Sequence, residues 1–360
     1  ASLGALTAHL TGLGAREMHE VLRMLFMSAR DFFLETGLSA AEQGLLGGVA
    51  VRGLEGGPFA SGTLYQLLRH RALGDGLFPS TVRGGLGALS LALAGKAREA
   101  GAEIRTGVPA GARIEVQDGA AIGVRLADGT LLLAGTVVSD HDARFTFTHL
   151  VSPTHLDPEF NRTLRQIRYR GSVARIHLAL RARPTFSGVD DDAHRGTLVL
   201  APDLAFIEKA WDQAKRGIVP ANPCIEITLP TASDPGLAPA GQHVLSAWVQ
   251  YVPHGRGERE ALFASVLGHL ARFAPGLPEL VLHHEVALPE DLESRFGLTE
   301  GHLYGGQTTL EQSFFLRPFP GSAHHDTPID HLYLGGSAAH PGGYSGRSGW
   351  NLAGWLLARD

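Results

Sequence analysis

The sequence feature that most constrains this chain is a glycine-rich loop that follows a short apolar segment near the C-terminus. The pattern predicts a buried strand over 331–334, a loop over 335–346 and a helix from about 348 to 358. Small loop residues let the backbone approach a flat or phosphorylated ligand, and a helix N-terminus presents free N–H groups and a positive dipole end. A flavin or dinucleotide site requires this order of elements. A glycine loop that only turns a corner has the same spacing, so the motif alone leaves both interpretations open.

Glycine is frequent throughout the chain, at 46 of 360 residues, where about 7% is typical of proteins. There is no collagen-like triplet repeat, so the glycines serve turns and close backbone contacts. Hydrophobic residues make up 44% and charged residues 19%, which supplies a packed core and excludes an intrinsically disordered chain. The formal charge of -5 argues against a nucleic-acid-binding protein, which is usually basic.

The first half of the chain predicts helices followed by a small sheet. Residues 1–36 are predicted to be helical, because apolar side chains recur on one face between Met18 and Phe33. Short helical pieces are predicted over 37–80, separated by glycine turns that include Gly47-Gly48. The pair Gly84-Gly85 opens a helix that ends at Gly101. A strand over 102–106, a meander over 112–134 with tight Asp-Gly turns and a short buried strand over 136–139 are then predicted.

The second half predicts an antiparallel sheet with helices. Helical structure is expected within 150–170 and over 258–273. Four Val/Ile/Leu-rich segments, separated by Pro, Gly and Asp clusters, predict antiparallel strands; they are 173–180, 197–200, 224–229 and 244–252. The predicted fold class is therefore mixed α/β, of the α+β kind.

A second glycine cluster, at 84–87, nearly matches the dinucleotide fingerprint G-x-G-x-x-G. Counted from Gly85, the last glycine is replaced by Ser90, and Glu103 lies 18 residues further on, close to the expected ~20 for a ribose-binding acid. The fingerprint requires a preceding strand, and 77–82 contains Pro79 and few β-branched residues. The primary dinucleotide interpretation therefore lacks its structural context here.

The sequence gives little support for a metal site, a serine hydrolase, a P-loop enzyme or a disulfide-stabilised fold. The 18 histidines are scattered, and the adjacent pairs at 283–284 and 324–325 do not match helical zinc spacing, so no metal site is predicted. Neither a G-x-S-x-G elbow nor a P-loop occurs. The single cysteine, Cys224, excludes an intramolecular disulfide framework and is compatible with a reducing, cytoplasmic location.

The ends of the sequence indicate processing or truncation. No apolar run approaches the ~18 residues of a membrane-spanning helix, and the first residues lack the features of a signal peptide. A chain that begins with Ala1 is expected to be processed or cut from a longer one.

The order of many short segments resembles one family, the phytoene desaturase-like flavoproteins. That family includes bacterial carotenoid desaturases, retinol saturases and the branch of pyridine nucleotide-disulfide oxidoreductase domain-containing protein 2, which this sequence resembles most. The similarity extends over nearly the whole chain in collinear order. The segments that carry it are 78–79, 84–89, 101–107, 123–129, 137–140, 274–276, 288–293, 317–320, 327–329 and 332–343.

The resemblance implies FAD as cofactor and a two-domain arrangement built from discontinuous pieces. The Rossmann-like flavin domain would comprise 78–150 and 300–360. The substrate domain would comprise the helical part, 1–77, and the sheet-containing part, 151–299. The family's first βαβ unit, which supplies the pyrophosphate site, would precede residue 1, so the flavin domain within this chain is expected to be incomplete and FAD binding by the chain alone is expected to be weak.

The resemblance also implies functional positions. In the C-terminal loop the flavin-binding residues would be Gly335, Gly336, Ser337, Gly342, Gly343, Ser345 and Gly346, and Gly111 would offer a backbone contact to the adenine. His340 and Tyr344 are the candidate catalytic residues because they lie in this loop. Tyr344 stands where the family usually has a third glycine, and could either cover the flavin face or obstruct it.

The first hypothesis is thus that the chain is the C-terminal part of an FAD-dependent oxidoreductase. It would move a hydride between flavin and a C–H or C=C bond of an apolar, isoprenoid-type substrate. Expected partners are that substrate, the missing N-terminal segment or a second copy, and a membrane surface contacted peripherally. Two alternatives stay open: a non-catalytic binding or assembly chain that lost the nucleotide-binding unit, and a flavin amine oxidase, for which Tyr344 and Trp350 would supply part of the usual aromatic pair.

Overall fold

The structure is a computed structural model that describes residues 8, 11–72, 81–343 and 346–359. Within this part, the helices of eight residues or more are α1 (Ala15–Phe26), α2 (Ala29–Thr36), α3 (Ala40–Ala50), α4 (Thr63–Ala72), α5 (Leu86–Glu99), α6 (Pro158–Gln166), α7 (Leu204–Ala214), α8 (Arg259–Ala271), α9 (Pro289–Phe296) and α10 (Arg347–Leu357). Shorter helices are Ala143–Phe145, Pro230–Ser233 and Leu277–Leu280, and Thr146–Leu150 forms a π-helical turn. None of the helices described is long and apolar enough to cross a bilayer.

The strands form three sheets. They are β1 (Arg113–Gln117), β2 (Ala120–Arg125), β3 (Leu131–Leu133), β4 (Val137–Ser139), β5 (Val173–Leu180), β6 (Thr197–Leu200), β7 (Ile225–Thr228), β8 (His243–Gln250), β9 (Val281–Ala287) and β10 (Leu332–Leu334). The sheet orders are β1-β2-β3, β10-β4 and β6-β7-β8-β5-β9. The predicted mixed α/β class is confirmed.

The largest sheet is antiparallel throughout, as the four predicted strands required, and β9 adds a fifth strand that the sequence did not predict. At its centre Ile176 of β5 lies opposite Ala247 of β8 and Val286 of β9. Burial alternates along β5, so one face is available for helix packing. Leu262 and Val266 of α8 pack into the same hydrophobic core.

The smaller sheets position the glycine loop. The meander β1-β2-β3 turns at Asp118-Gly119, both of which have positive φ, as the Asp-Gly signal predicted. β4 and β10 form a parallel pair in which Val138 lies opposite Tyr333. The meander joins this pair because the Ala121 N–H donates to the Asp330 carbonyl at 2.8 Å. Val138 is 49% exposed, so the strand predicted to be buried has one open face.

The predicted strand over 102–106 is wrong. These residues are exposed and carry no regular structure, and Glu103 forms a surface ion pair with Arg105. A strand requires a neighbour that completes its hydrogen bonds, and the described part of the chain provides none at this position.

The predicted N-terminal helix is confirmed for α1 and α2, but it is interrupted at Met27-Ser28. Ser28 ends the continuous helix because its side chain accepts from the Asp31 N–H at 3.0 Å and caps α2. Residues 1–7, 9 and 10 lie outside the described residues. The four predicted domain segments stay predictions. The hydrophobic core around β4 and β10 contains Phe147 from the predicted segment 78–150 and also Leu164 and Tyr169 from the predicted segment 151–299.

The turn predicted at Gly47-Gly48 is wrong, because both glycines lie inside α3 and are buried. Here glycine permits close helix packing. A β-carbon on Gly44 would lie 1.9 Å from the Ala201 carbonyl oxygen, and one on Gly47 would lie 2.4 Å from Leu204 Cδ1. α3 therefore approaches the chain at the start of α7 more closely than any side chain allows.

We expect Gly44→Ala to lower the free energy of unfolding by at least about 1–3 kcal/mol, the usual cost of overpacking, because the contact atom is backbone and cannot rotate away. Gly268→Ala is the matched control, since a β-carbon there meets nothing within 4 Å in α8. It should stabilise by about 0.5–1 kcal/mol. Denaturant melts check both variants, and equal stabilities would contradict the packing account.

Candidate functional site

The loop after β10 begins at a position where only glycine fits. A β-carbon on Gly336 would lie 1.8 Å from the Asp140 carbonyl oxygen, and one on Gly335 would lie 3.0 Å from Val138 Cγ1. The chain leaving β10 therefore crosses directly over the end of β4. Because β4 and β10 are parallel, this crossing lies at their carboxyl ends, the edge where open α/β sheets bind ligands.

The second half of the loop has a glycine-specific backbone. Gly342, Gly343 and Gly346 have φ values of 80°, 96° and 70°, which are left-handed conformations that glycine adopts without strain. Gly346 precedes α10, whose N-terminus has no side-chain cap. The start of α10 is tied to the loop by Ser348, whose hydroxyl donates to the Ala339 carbonyl at 2.9 Å. Tyr344 and Ser345 lie outside the described residues.

His340 is held in one orientation beside a cleft. Its Nδ1 lies 2.8 Å from the Phe314 carbonyl oxygen, and because a carbonyl only accepts, Nδ1 carries the proton of the neutral ring. Burial lowers the pKa of His340 to about 4, so the ring is neutral at pH 7. The cleft has a volume of about 330 Å³ and is lined by Ala323, His324, His325, His340, Trp350, Asn351, Gly354 and Trp355.

Two buried arginines, which the sequence did not single out as functional, contact the loop at Pro341 and Gly342. Arg69 of α4 donates from Nη2 to the Pro341 carbonyl at 3.2 Å. Arg317 donates to several carbonyls, including Gln307 at 3.1 Å. A β-carbon on Gly342 would lie 2.7 Å from Arg317 Nε and 2.8 Å from Arg69 Nη2. Arg317 lies in a family-like segment, whereas Arg69 has no local sequence signal.

These arginines create a positive region. Burial, followed by the neighbouring Arg69, lowers the pKa of Arg317 to about 9, so Arg317 remains charged at pH 7. Burial and then the charge of Arg317 lower the pKa of His302 to about 3. No carboxylate in the described part of the chain forms an ion pair with Arg317.

The remaining predicted positions lie elsewhere or contact protein groups. Gly111 has φ 108° and lies beside Ala127 at the meander, not within the C-terminal loop. In the second glycine cluster, the Gly84 N–H donates to Asp234 Oδ2 at 2.6 Å. Among the described residues, Gly335, Gly336, Ser337, Gly342, Gly343 and Gly346 thus lie in one loop, and Gly111 lies apart from it beside the meander. No group of three or more His, Cys, Asp or Glu side chains among the described residues is arranged to hold a metal ion.

The loop fits the ring end of a flavin. It has glycine at 336, 342, 343 and 346 and leads into a helix N-terminus without a side-chain cap. β-Carbons on Gly336 and Gly342 would meet protein atoms, whereas one on Gly346 would meet nothing within 4 Å. The open side of Gly346 lets a flat ring lie close to the backbone there, and the helix start favours the polar, electron-rich edge of such a ring. The order of a parallel strand, a glycine loop and a helix is the order predicted for the C-terminal flavin loop.

Comparisons with known proteins agree with this class. A putrescine oxidase variant with redesigned cofactor binding has a similar fold, with a TM-score of 0.57 and 14% identity over 94% of this chain and 69% of that one. Pyridine nucleotide-disulfide oxidoreductase domain-containing protein 2 of Mus musculus is 33% identical over 327 residues, 84% of this chain and 56% of the relative. The zeta-carotene-forming phytoene desaturase of Myxococcus xanthus is 29% identical over 336 residues, 89% of this chain and 59% of the relative. No protein-family model matches the chain.

The chain is therefore a homologue of pyridine nucleotide-disulfide oxidoreductase domain-containing protein 2 and of the phytoene desaturases, and the predicted resemblance to that family is confirmed. It spans between half and two thirds of the length of these relatives, 56% of the mouse protein and 63% of the rat protein. The roles assigned to individual loop residues stay predictions.

The buried histidine beside Arg317 predicts a pH dependence of stability. His302 Nδ1 accepts the Tyr304 and Gly306 N–H groups, both at 3.2 Å, so protonation of Nδ1 would break both bonds. The folded-state pKa of about 3 lies below the unfolded value near 6.5. The stabilising contribution is therefore present above about pH 6.5 and is lost as the pH falls from there towards 3, by up to about 1.4 kcal/mol per pH unit.

Urea unfolding at pH 7.5, 6 and 5 measures this loss, and His302→Gln should reduce the slope below pH 6.5. A variant whose slope equals that of the unmodified chain would contradict the assignment of His302 as a buried neutral group.

Proposed function

We propose that this chain forms the ring-binding loop and substrate-facing part of an FAD-dependent oxidoreductase that acts on an apolar substrate. The observation that carries the proposal is the glycine-rich loop that leaves β10 at the carboxyl ends of β4 and β10 and passes through Gly346, which opens onto free space, into the uncapped N-terminus of α10. Homology to a zeta-carotene-forming phytoene desaturase supports an apolar, isoprenoid-type substrate.

Desaturation removes a hydride and a proton from neighbouring carbons, while saturation adds them; FAD, when bound, supplies the hydride acceptor or donor. The chain's own residues would then position the reactants. Gly346, which meets nothing within 4 Å at the start of α10, would allow a ring to lie against the backbone. His340 is fixed by its hydrogen bond to Phe314, and we retain it with Tyr344 as the residues that would border the reacting carbon atoms.

The exposed apolar surface of α5 indicates that a further protein segment or partner packs on it. No residue of α5 is buried, and Leu86, Leu91 and Leu93 are 73%, 72% and 65% exposed. Helices of this composition normally pack against a sheet. We propose that a nucleotide-binding segment of the complete protein covers α5 and the open face of β4, and that this segment completes the FAD site. A second copy of the chain and a membrane surface are the competing occupants.

The full-length protein that contains this chain should carry flavin, with absorption bands at about 370 and 450 nm, as general flavin behaviour requires. Gly336→Ala should reduce flavin content by at least about tenfold, because a β-carbon would meet the Asp140 carbonyl at 1.8 Å and displace the loop. Gly268→Ala is the control, and its flavin content should equal that of the unmodified protein. Thermal melts of both variants verify that each is folded.

A folded full-length protein without flavin bands after incubation with FAD would contradict the proposal and favour a non-catalytic binding or assembly role. Amine-dependent peroxide release by a flavin-loaded protein would instead favour amine oxidation. The likeness to a putrescine oxidase, at 14% identity, concerns the fold and does not itself support that activity.

A further inference from the structure

One buried hydrogen-bond donor on the antiparallel sheet has no acceptor. Trp248 lies in β8, and its indole Nε1 is buried without a hydrogen-bond partner in the described part of the chain. The guanidinium group of Arg175 on the neighbouring strand lies over the indole ring, 5.1 Å from its centroid, and donates to Ser246 Oγ at 3.1 Å. The ring is therefore held in place, and a buried N–H that makes no hydrogen bond is costly.

An acceptor without a donor lies two residues further along the same strand. Gln250 donates from Nε2 to the Gly48 carbonyl at 3.0 Å and to Glu226 Oε1 at 3.1 Å. Its Oε1 accepts no hydrogen bond among the residues that the structure describes. Residues two apart in a strand lie on the same face of the sheet, so Trp248 and Gln250 bring this donor and this acceptor to one side of β8.

Both side chains line a small cavity between the sheet and the turn over 301–304. Its volume is about 20 Å³, and about 10–15 Å³ of such space is enough for one water molecule. Ser172 also lines the cavity, and its hydroxyl can both donate and accept a hydrogen bond. Cavities that stay empty in proteins are lined by apolar groups, whereas polar cavities of this size hold water. The size and the lining therefore fit a single water and no larger ligand.

The cavity lies beside the turn that packs against the glycine loop. A β-carbon on Gly171 would lie 2.3 Å from the Glu300 carbonyl oxygen, and one on Gly305 would lie 2.6 Å from Ala338 Cβ. The turn is thus packed closely between the start of β5 and the loop. Because protein interiors are dense and transmit small displacements, whatever occupies the space between the sheet and this turn also limits the movement of the turn.

We propose that this cavity binds one ordered water molecule, which accepts a hydrogen bond from Trp248 Nε1, donates one to Gln250 Oε1 and supports the 301–305 turn from the side of the sheet. An indole N–H only donates and an amide oxygen only accepts, so one water satisfies both groups. Ser172 supplies a further hydrogen bond. The water is a structural ligand that takes no part in redox chemistry. The inference does not depend on flavin binding, and its test is separate from that of the proposed function.

Nuclear magnetic resonance of the indole N–H tests the water directly. The full-length protein is isotope-labelled at the indole nitrogen of tryptophan, and Trp248→Phe identifies the Trp248 signal. A water held in place gives NOE and ROE cross-peaks of opposite sign at the N–H, whereas proton exchange with bulk solvent gives cross-peaks of the same sign. We expect cross-peaks of opposite sign at Trp248, together with slow hydrogen–deuterium exchange of its indole proton.

Two results would overturn the inference. Slow exchange of the Trp248 indole proton without water cross-peaks would show that the cavity is dry. Fast exchange with cross-peaks of the same sign would show that this N–H reaches bulk solvent. If Trp248→Phe does not fold, Trp→Phe variants at the other positions assign the Trp248 signal by elimination.

A hydroxyl proton that exchanges with solvent gives similar cross-peaks, so the two hydroxyl side chains that line the cavity, Ser172 and Tyr304, need controls. The cross-peaks at Trp248 should persist in Ser172→Ala and in Tyr304→Phe, because Trp248 and Gln250 still hold the water. Loss of the cross-peaks in either variant would identify a hydroxyl proton as their source and contradict the water site.

The supporting role predicts a second result. Trp248→Phe removes the donor to the water, so backbone amides over 301–305 should exchange at least about threefold faster than in the unmodified protein. Trp211→Phe is the matched control, because the Trp211 ring packs against Tyr251 in a different core cluster, with ring centroids 5.7 Å apart. It should leave exchange over 301–305 unchanged. Equal exchange rates over 301–305 in the two variants would overturn the supporting role.

Discussion

The contact between Gly336 and the end of β4 determines how the rest of the candidate site is arranged. The chain leaving β10 passes so close to the Asp140 carbonyl that no side chain fits. The parallel pairing of β10 with β4 fixes where this crossing occurs. The loop, the N-terminus of α10 and the cleft beside His340 all follow from that position, because they are adjacent in sequence or hydrogen-bonded to the loop.

A second level of organisation comes from buried polar groups. Arg317 connects the 304–312 turn to the loop through carbonyl contacts, and Arg69 connects α4 to Pro341. The ion pair between Arg52 and Glu226 joins the end of α3 to β7 in the same interior. These contacts bring the N-terminal helices, the antiparallel sheet and the loop together. The site therefore depends on parts of the chain that are far apart in sequence.

Local patterns predicted much of the fold. The Asp-Gly turns, the four Val/Ile/Leu-rich strands and the strand, loop and helix at the C-terminus are set by short-range preferences, and the structure contains them. The failures have non-local causes. Gly47 and Gly48 serve contact with residues more than 150 positions away in α7, β7 and β8, and the strand predicted over 102–106 has no neighbour among the described residues. No local sequence signal identifies Arg69 as part of the site, because its place there results from its proximity to Arg317 and Gly342, which are distant in sequence.

The central claim is that the 335–346 loop holds the flavin ring, and hydrogen–deuterium exchange tests it most directly. Amide exchange in the full-length protein would be compared with and without saturating FAD, using peptides that cover the loop and the first turn of α10. We expect slower exchange across 335–349 on FAD binding, with little change in the antiparallel sheet at β5 and β8. Protection confined to other regions, with unchanged exchange across 335–349, would contradict the claim.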